Sequence, residues 1–239
     1  MPDFFNRSDE AEVMDDLECS GDVLEQTLRE LEFINKWLGG NKITLGAIGQ
    51  LIKSFPDKAI TIADLGCGSG EMLRIIDLWG RQKSLNLNLV GIDANPNIIA
   101  IAKKNLRDRP NIHLRTLNIF SKEFHDQQYD IVIGTLFYHH FPDKQLTQFF
   151  SQLRQQVSLG FVINDIHRHW LAYYSIKILT QFFSKSSMVK YDAPLSVLRA
   201  FKKSELEEIL QASQTWDFTI RWKWAFRWQV VARVPSKAF

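Results

Sequence analysis

The run Ala59-Ile60-Thr61-Ile62-Ala63 leads into Asp64-Leu65-Gly66-Cys67-Gly68-Ser69-Gly70 and then into Glu71-Met72-Leu73-Arg74-Ile75-Ile76. An apolar strand, a glycine-rich turn and a helix in that order restrict the chain to α/β folds that hold a nucleotide-like ligand at a strand end. Glycine lets the backbone turn sharply and come close to a ligand with no Cβ in the way. The spacing is G-x-G-x-G behind an acid, not the G-x-G-x-x-G of dinucleotide binders. A pyrophosphate seeks a helix N-terminus. A carboxylate at the strand end suits a cationic or amino-bearing ligand instead.

A second strand, Leu87-Asn88-Leu89-Val90-Gly91-Ile92-Asp93, also ends in an acid and is followed by Ala94-Asn95-Pro96. A carboxylate there can accept both hydroxyls of a ribose. A third segment runs Tyr129-Asp130-Ile131-Val132-Ile133-Gly134-Thr135-Leu136-Phe137-Tyr138-His139-His140-Phe141. In this order the motifs resemble those of class I S-adenosylmethionine (SAM) dependent methyltransferases. The third is similar to the fourth-strand motif of the ubiquinone/menaquinone methyltransferase group. The resemblance implies SAM as cofactor, with Asp64, Gly66, Cys67, Gly68 and Gly70 around its methionine end and Asp93 on its ribose. Ala94, Asn118, Ile119 and Thr135 are implied for the rest of the cofactor site. Asn118 stands where the family usually has an acid; its own chemistry also fits a turn residue bonding its backbone.

Alternation of strands at about 59–64, 87–93, 112–117, 129–134 and 160–165 with helices at 70–80, 96–105 and 142–157 predicts βαβ crossovers and a parallel sheet. The expected fold is α/β, a Rossmann-like, mostly parallel sheet of seven strands with an antiparallel strand at the C-terminus. Two helices precede the first strand: one from Asp22 to Gly39-Gly40, the other ending at Pro56. Residues 1–21 read as an acidic flexible arm, 22–58 as a helical cap, and 59–239 as the SAM-binding domain. Ser204-Glu205-Leu206-Glu207 resembles a capping box that opens a last helix. After it, alternation through Phe218, Ile220, Trp222, Trp224 and Phe226, then Val230, Ala232 and Val234, predicts a hairpin. Residues 166–203 are an apolar, aromatic helical insertion after strand five, expected to overhang the pocket as a lid.

Composition excludes more than it selects. A net charge of +2 over 239 residues gives no case for nucleic acid or an anionic surface. No apolar run reaches the ~18 residues that span a bilayer, so no stable membrane insertion is expected. Two cysteines, Cys19 and Cys67, make no disulfide framework. With an opening that lacks the organisation of a signal peptide, this predicts a cytoplasmic protein.

Histidines titrate near neutrality and are the proton-transfer candidates. His139 and His140 follow strand four; His167 and His169 follow strand five. His139 is expected to be structural. His140 and above all His167, with Asp165 to orient it, are expected in the catalytic role. No metal is expected, since the resembled family methylates small molecules mostly without one. The N/D-P-P-Y/F tetrapeptide of amino-group methyltransferases is absent where the chain reads Gly134-Thr135-Leu136-Phe137. Trp170, Tyr173, Tyr174, Phe182, Phe183 and Met188 are expected to line a pocket for a hydrophobic small molecule. The reading favours O-methylation of a phenolic, quinone-like or polyketide-derived metabolite. C-methylation of the same class, a SAM-binding scaffold without turnover, and a nicotinamide-dependent oxidoreductase are the alternatives.

Overall fold

A computed structural model describes residues 2–55, 58–215 and 217–235. Its sheet has seven strands: β1 (Ile60–Leu65), β2 (Leu87–Asp93), β3 (Ile112–Thr116), β4 (Tyr129–Thr135), β5 (Val157–Ile166), β6 (Phe218–Lys223) and β7 (Arg227–Arg233). The order is β3-β2-β1-β4-β5-β7-β6. The first five are parallel to their neighbours, while β7 runs antiparallel to both β5 and β6. This is the doubly wound Rossmann-like arrangement. The reversal of strand order at β1 and β4 opens a crevice beyond their carboxyl ends, where such sheets bind ligands.

Burial on both faces follows from the side-chain period of two. In β4, Ile131 and Ile133 pack with Ile62, Leu73 and Ile76 on one side of the sheet. Val132 between them packs on the other side with Phe149, Phe150 and Phe161. Helices α1 (Gly21–Trp37), α2 (Gly40–Ile52), α3 (Glu71–Gln82) and α4 (Pro96–Asn105) precede a single-turn helix, α5 (Lys122–His125). Then come α6 (Asp143–Gln156), α7 (Trp170–Phe183), α8 (Ser187–Arg199) and α9 (Lys203–Ala212). Pro56, expected to end the second helix, lies outside the described residues. Asn95 caps α4 by accepting from the Asn97 amide at 2.8 Å, with Pro96 at the first helical position. The last helix begins earlier than Ser204: the Glu205 carboxylate accepts from the Lys202 amide at 2.7 Å, which sets the capping frame two residues upstream.

The N-terminal arm is not loose, contrary to expectation. Val13–Asp15 form a 3-10 turn whose Val13 and Met14 amides donate to Asp192 on α8, at 2.8 and 3.1 Å. Arg7 donates to the main-chain oxygens of Arg199, His139 and Phe141. An acidic stretch has no apolar face to announce such docking. Hydrogen bonds and charge hold the arm, together with scattered apolar contacts: Met14 against the cluster that includes Leu24 and Leu28, and Phe4 against Tyr173.

Candidate active site

Two strand-end acids and the glycine turn form the first half of the site. Gly66, Gly68 and Gly70 all have positive φ, +64°, +53° and +82°, which glycine alone adopts without strain. Gly66 is also in contact with the Phe137 ring, which a Cβ there would meet at 2.2 Å. Asp64, at the end of β1, is 2% exposed, and its carboxylate makes no hydrogen bond among the described residues. Asp93 accepts from the amides of Asn95 at 3.0 Å and Gly68 at 3.3 Å. The cap helices close this cleft: Leu28 of α1 stands over Gly68, and Asn41 of α2 donates to Glu71 at 2.9 Å.

The electrostatics match a cation. Burial, then the neighbouring Asp93, pushes the Asp64 carboxyl up from 3.8 to about 8. Burial likewise raises Glu71 to about 7 and Asp93 above its ordinary value. Three acids, one buried and two partly buried, that resist ionising alone are stabilised by a ligand that brings positive charge. A ligand with an ammonium and a sulfonium group fits that need, and the glycine cradle leaves room for it.

A pH dependence follows. The folded chain keeps the Asp64 proton up to about pH 8, whereas the unfolded chain releases it near 3.8, so the native state holds more protons in between. Stability therefore falls as pH rises through that window. Asp64→Asn should flatten the fall, Glu71 and Asp93 leaving a remainder. SAM favours the ionised carboxylate, so its thermal shift should grow with pH in the wild type and not in Asp64→Asn. Melting curves at several pH values with and without SAM measure both. A stability that rises with pH in the wild type would refute the assignment.

The other residues expected at the cofactor also have partners within the protein. The Asn118 carbonyl oxygen accepts from the Phe120 amide at 2.9 Å, so it stabilises its own turn. Ile119 is buried in the core beside Leu117. The Thr135 hydroxyl is 3.0 Å from that of Thr44 on α2. Cys67 is buried in the turn and packs with Met72 and Leu73, while Ala94 lies half-buried beside Asp93.

Next to the cleft, over the ends of β4 and β5, is a cavity of ≈ 390 Å³. Its walls come from α1 (Leu31, Ile34), α7 (Ile176, Leu179) and α8 (Val189, Val197), with Leu136 and Ile166 from the strand ends. The insertion thus contributes walls above the sheet, but not with its aromatic face. Trp170, Tyr174, Phe182 and Phe183 point to solvent, the last at 82% exposed. Tyr173 packs on Phe4, and Met188 is buried away from the cavity. The ten positions between Trp170 and Phe183 that carry apolar side chains cover more than one helix face, so composition alone does not say which face turns inward.

The cavity's polar wall is Glu12, His139, His140, Asp192 and Arg227. His139 Nδ1 bonds Asp165 at 2.7 Å and His140 Nδ1 bonds Asp15 at 2.6 Å. Burial would lower the His139 pKa, but the Asp165 and Glu12 carboxylates outweigh it and raise it to about 9. His167 is not on this wall. The strand ends at Ile166, its alternation stops there, and the His167 ring turns onto Trp228, 4.8 Å away. Burial, then His169 and Arg168, depresses its pKa to about 4, which leaves it a weak base. Asp165, expected to orient His167, is committed to His139 and to the Tyr138 and His139 amides. Glu12 was missed because it lies more than a hundred residues from the histidines it joins, in a stretch with no periodic signal.

A family profile described as "Methyltransferase domain" matches residues 62–160. No curated protein matches the sequence. Three solved structures are similar in fold. A Nostoc punctiforme protein provisionally named an O-methyltransferase shares 15% identity at a TM-score of 0.56, over 82% of this chain and 57% of its own. Magnesium protoporphyrin IX methyltransferase from Synechocystis shares 13% at a TM-score of 0.53, over 81% and 82%. Human N-acetylserotonin methyltransferase in complex with SAM shares 15% at a TM-score of 0.61, over 90% and 57%. The chain therefore spans little more than half the length of the Nostoc and human proteins. The domain match over residues 62–160 and the sheet order make the chain similar in fold to class I SAM-dependent methyltransferases. Among the described residues no helix is long and apolar enough to cross a membrane.

Proposed function

We propose that this protein methylates a hydroxyl on a hydrophobic small molecule, of phenolic, quinone-like or polyketide-derived type, held in the cavity beside the cofactor cleft. The carrying observation is the contrast between the cavity's apolar walls and the charged patch where the arm and α8 meet the strand ends. Apolar walls select a hydrophobic body, and a few convergent polar groups orient it. Holding the acceptor oxygen about 3–3.5 Å from the methyl supplies much of the rate through orientation.

His140 is the residue assigned to the acceptor hydroxyl. Asp15 fixes its Nδ1, and its Nε2 makes no hydrogen bond among the described residues. In the transfer the oxygen forms a bond to the methyl carbon, the carbon–sulfur bond breaks with its electrons going to sulfur, and the hydroxyl proton leaves at this wall. The test incubates methyl-labelled SAM with metabolite extracts and identifies labelled products. With a product in hand, His140→Ala should turn over ~100-fold slower or worse, because acid–base assistance commonly contributes 10²–10⁴. His167→Ala should stay near the wild-type rate. Equal rates for wild type and His140→Ala on every labelled product would remove His140 from the site. Products labelled on carbon would favour C-methylation.

A further inference from the structure

Glu12, His139 and His140 each offer a ligand atom, and these atoms all lie within 4.8 Å of one another. His139 Nε2 and Glu12 Oε1 are 3.5 Å apart; both are buried, and neither has a hydrogen-bond partner. Two oppositely disposed groups joined by a proton would sit at ~2.7–3.2 Å. Two ligands held ~2.1 Å from one ion at tetrahedral angles stand about 3.4 Å apart. The observed spacing is that of an ion pair too long for a hydrogen bond, and it matches that of two ligands of one ion.

The surroundings support the same reading. Asp165 and Asp15 occupy the Nδ1 atoms of His139 and His140, so each ring turns its Nε2 to the cluster, and on His139 an ion would take the place of a proton there. A carboxylate behind each imidazole is the support that orients metal-ligating histidines. The charges are also suited to a dication. Asp15, Asp165 and Asp192 stand around the cluster that Glu12 belongs to, and two cations face these four acids: Arg199, bonded to Asp15 at 2.5 Å and 3.9 Å from Glu12, and the buried Arg227.

We propose that Glu12, His139 and His140 bind one divalent first-row transition-metal ion at the wall of the cavity. Imidazole and carboxylate donors suit zinc, cobalt, iron or manganese better than magnesium or calcium. The inference rests on the proposed acceptor site and says how that site engages the substrate. An ion held by these residues would lie at the cavity that all three line, and would take a hydroxyl oxygen of the acceptor as a further ligand. Coordination lowers the affinity of that oxygen for its proton, which passes to solvent, and leaves the oxygen fixed for attack on the methyl carbon. The three protein ligands come from the arm and from the turn after β4, so the site exists only when the arm is docked.

The full chain, freed of any affinity tag and treated with chelator, is titrated with cobalt(II) and followed by its visible d–d absorption, then with zinc(II) by calorimetry. One equivalent of cobalt should bind with a visible spectrum, and zinc should displace it. His140→Ala and the isosteric Glu12→Gln should each weaken binding at least ~100-fold, with circular dichroism and melting curves checking that both are folded. His167→Ala should bind like the wild type. No stoichiometric cobalt binding, or unchanged affinity in folded Glu12→Gln and His140→Ala, overturns the metal site. If cobalt does not bind while His140→Ala still loses turnover, the metal falls and the acceptor site stands. If cobalt binds at this cluster while His140→Ala keeps full turnover, the acceptor assignment is the part that fails.

Discussion

Arg168→Ala should destabilise the folded chain by about 3–5 kcal/mol, the loss seen when one partner of a buried charged network is removed. The Arg168 side chain is wholly buried. Its guanidinium bonds Glu205 and the Ala200 carbonyl, and reaches the Phe5 carbonyl at 3.0 Å and the Phe4 carbonyl at 3.3 Å. One side chain therefore ties the end of β5 to the start of α9 and to the N-terminal arm. Alanine removes the donors and leaves carbonyls and a half-covered carboxylate without partners. For a chain of this size the melting temperature should fall on the order of 10 °C. Lysine should recover little, because it lacks the planar fork that serves four acceptors at once. Thermal and denaturant unfolding check this, and a fall under about 2 °C would show the network to be dispensable. Because the arm is released with it, the variant should also lose Glu12 from the cavity wall.

Gly66→Val should abolish SAM binding while leaving the secondary structure intact. Gly66 sits at φ +64°, a conformation in which a β-branched residue is strained, and a Cβ there would meet the Phe137 ring at 2.2 Å. Phe137 cannot retreat freely, since its ring packs on Tyr138 and Phe141 at 5.4 and 5.1 Å. The turn must move, and the moving part is the cradle itself. Affinity should drop by 100-fold or beyond detection in calorimetry, with the far-ultraviolet circular dichroism unchanged. Wild-type affinity in a folded Gly66→Val protein would mean that the cofactor lies away from this turn. Gly68 also has a positive φ, but a Cβ there meets only Leu28 at 3.7 Å, so its substitution acts through strain more than contact.

How legible each part was depends on how local its cause is. β2 and α4 begin and end where the sequence reading puts them, because a continuous apolar strand, a terminal acid and an Asn-Pro cap are all written within a few neighbouring residues. β5 starts at Val157 rather than 160 because its first residues pair with β4 and no turn signal separates them from α6. His167 shows the opposite limit. Its place two residues after Asp165 implies a shared face, but that holds only while the strand continues. The strand stops at Ile166, and pairing with Phe201 and Phe226 carries the ring to Trp228 instead.

By itself the sequence determined the strands of the sheet, their parallel crossovers and the place of Asp64, Asp93 and the glycine turn at strand ends, since each rests on periodicity or on backbone conformations that single residues dictate. Only the tertiary structure decided the polar wall of the cavity. Glu12 and Asp15 meet His139 and His140 because Arg7, Arg168 and Asp192 dock the arm across α8. Likewise, which face of α7 turns toward the cavity depends on α8 packing beside it, so Ile176 and Leu179 face in while Phe182 and Phe183 face out. Contacts between segments far apart in the chain leave no periodic trace in either one, and charge pairs least of all. They become visible only when the sheet has brought the segments together.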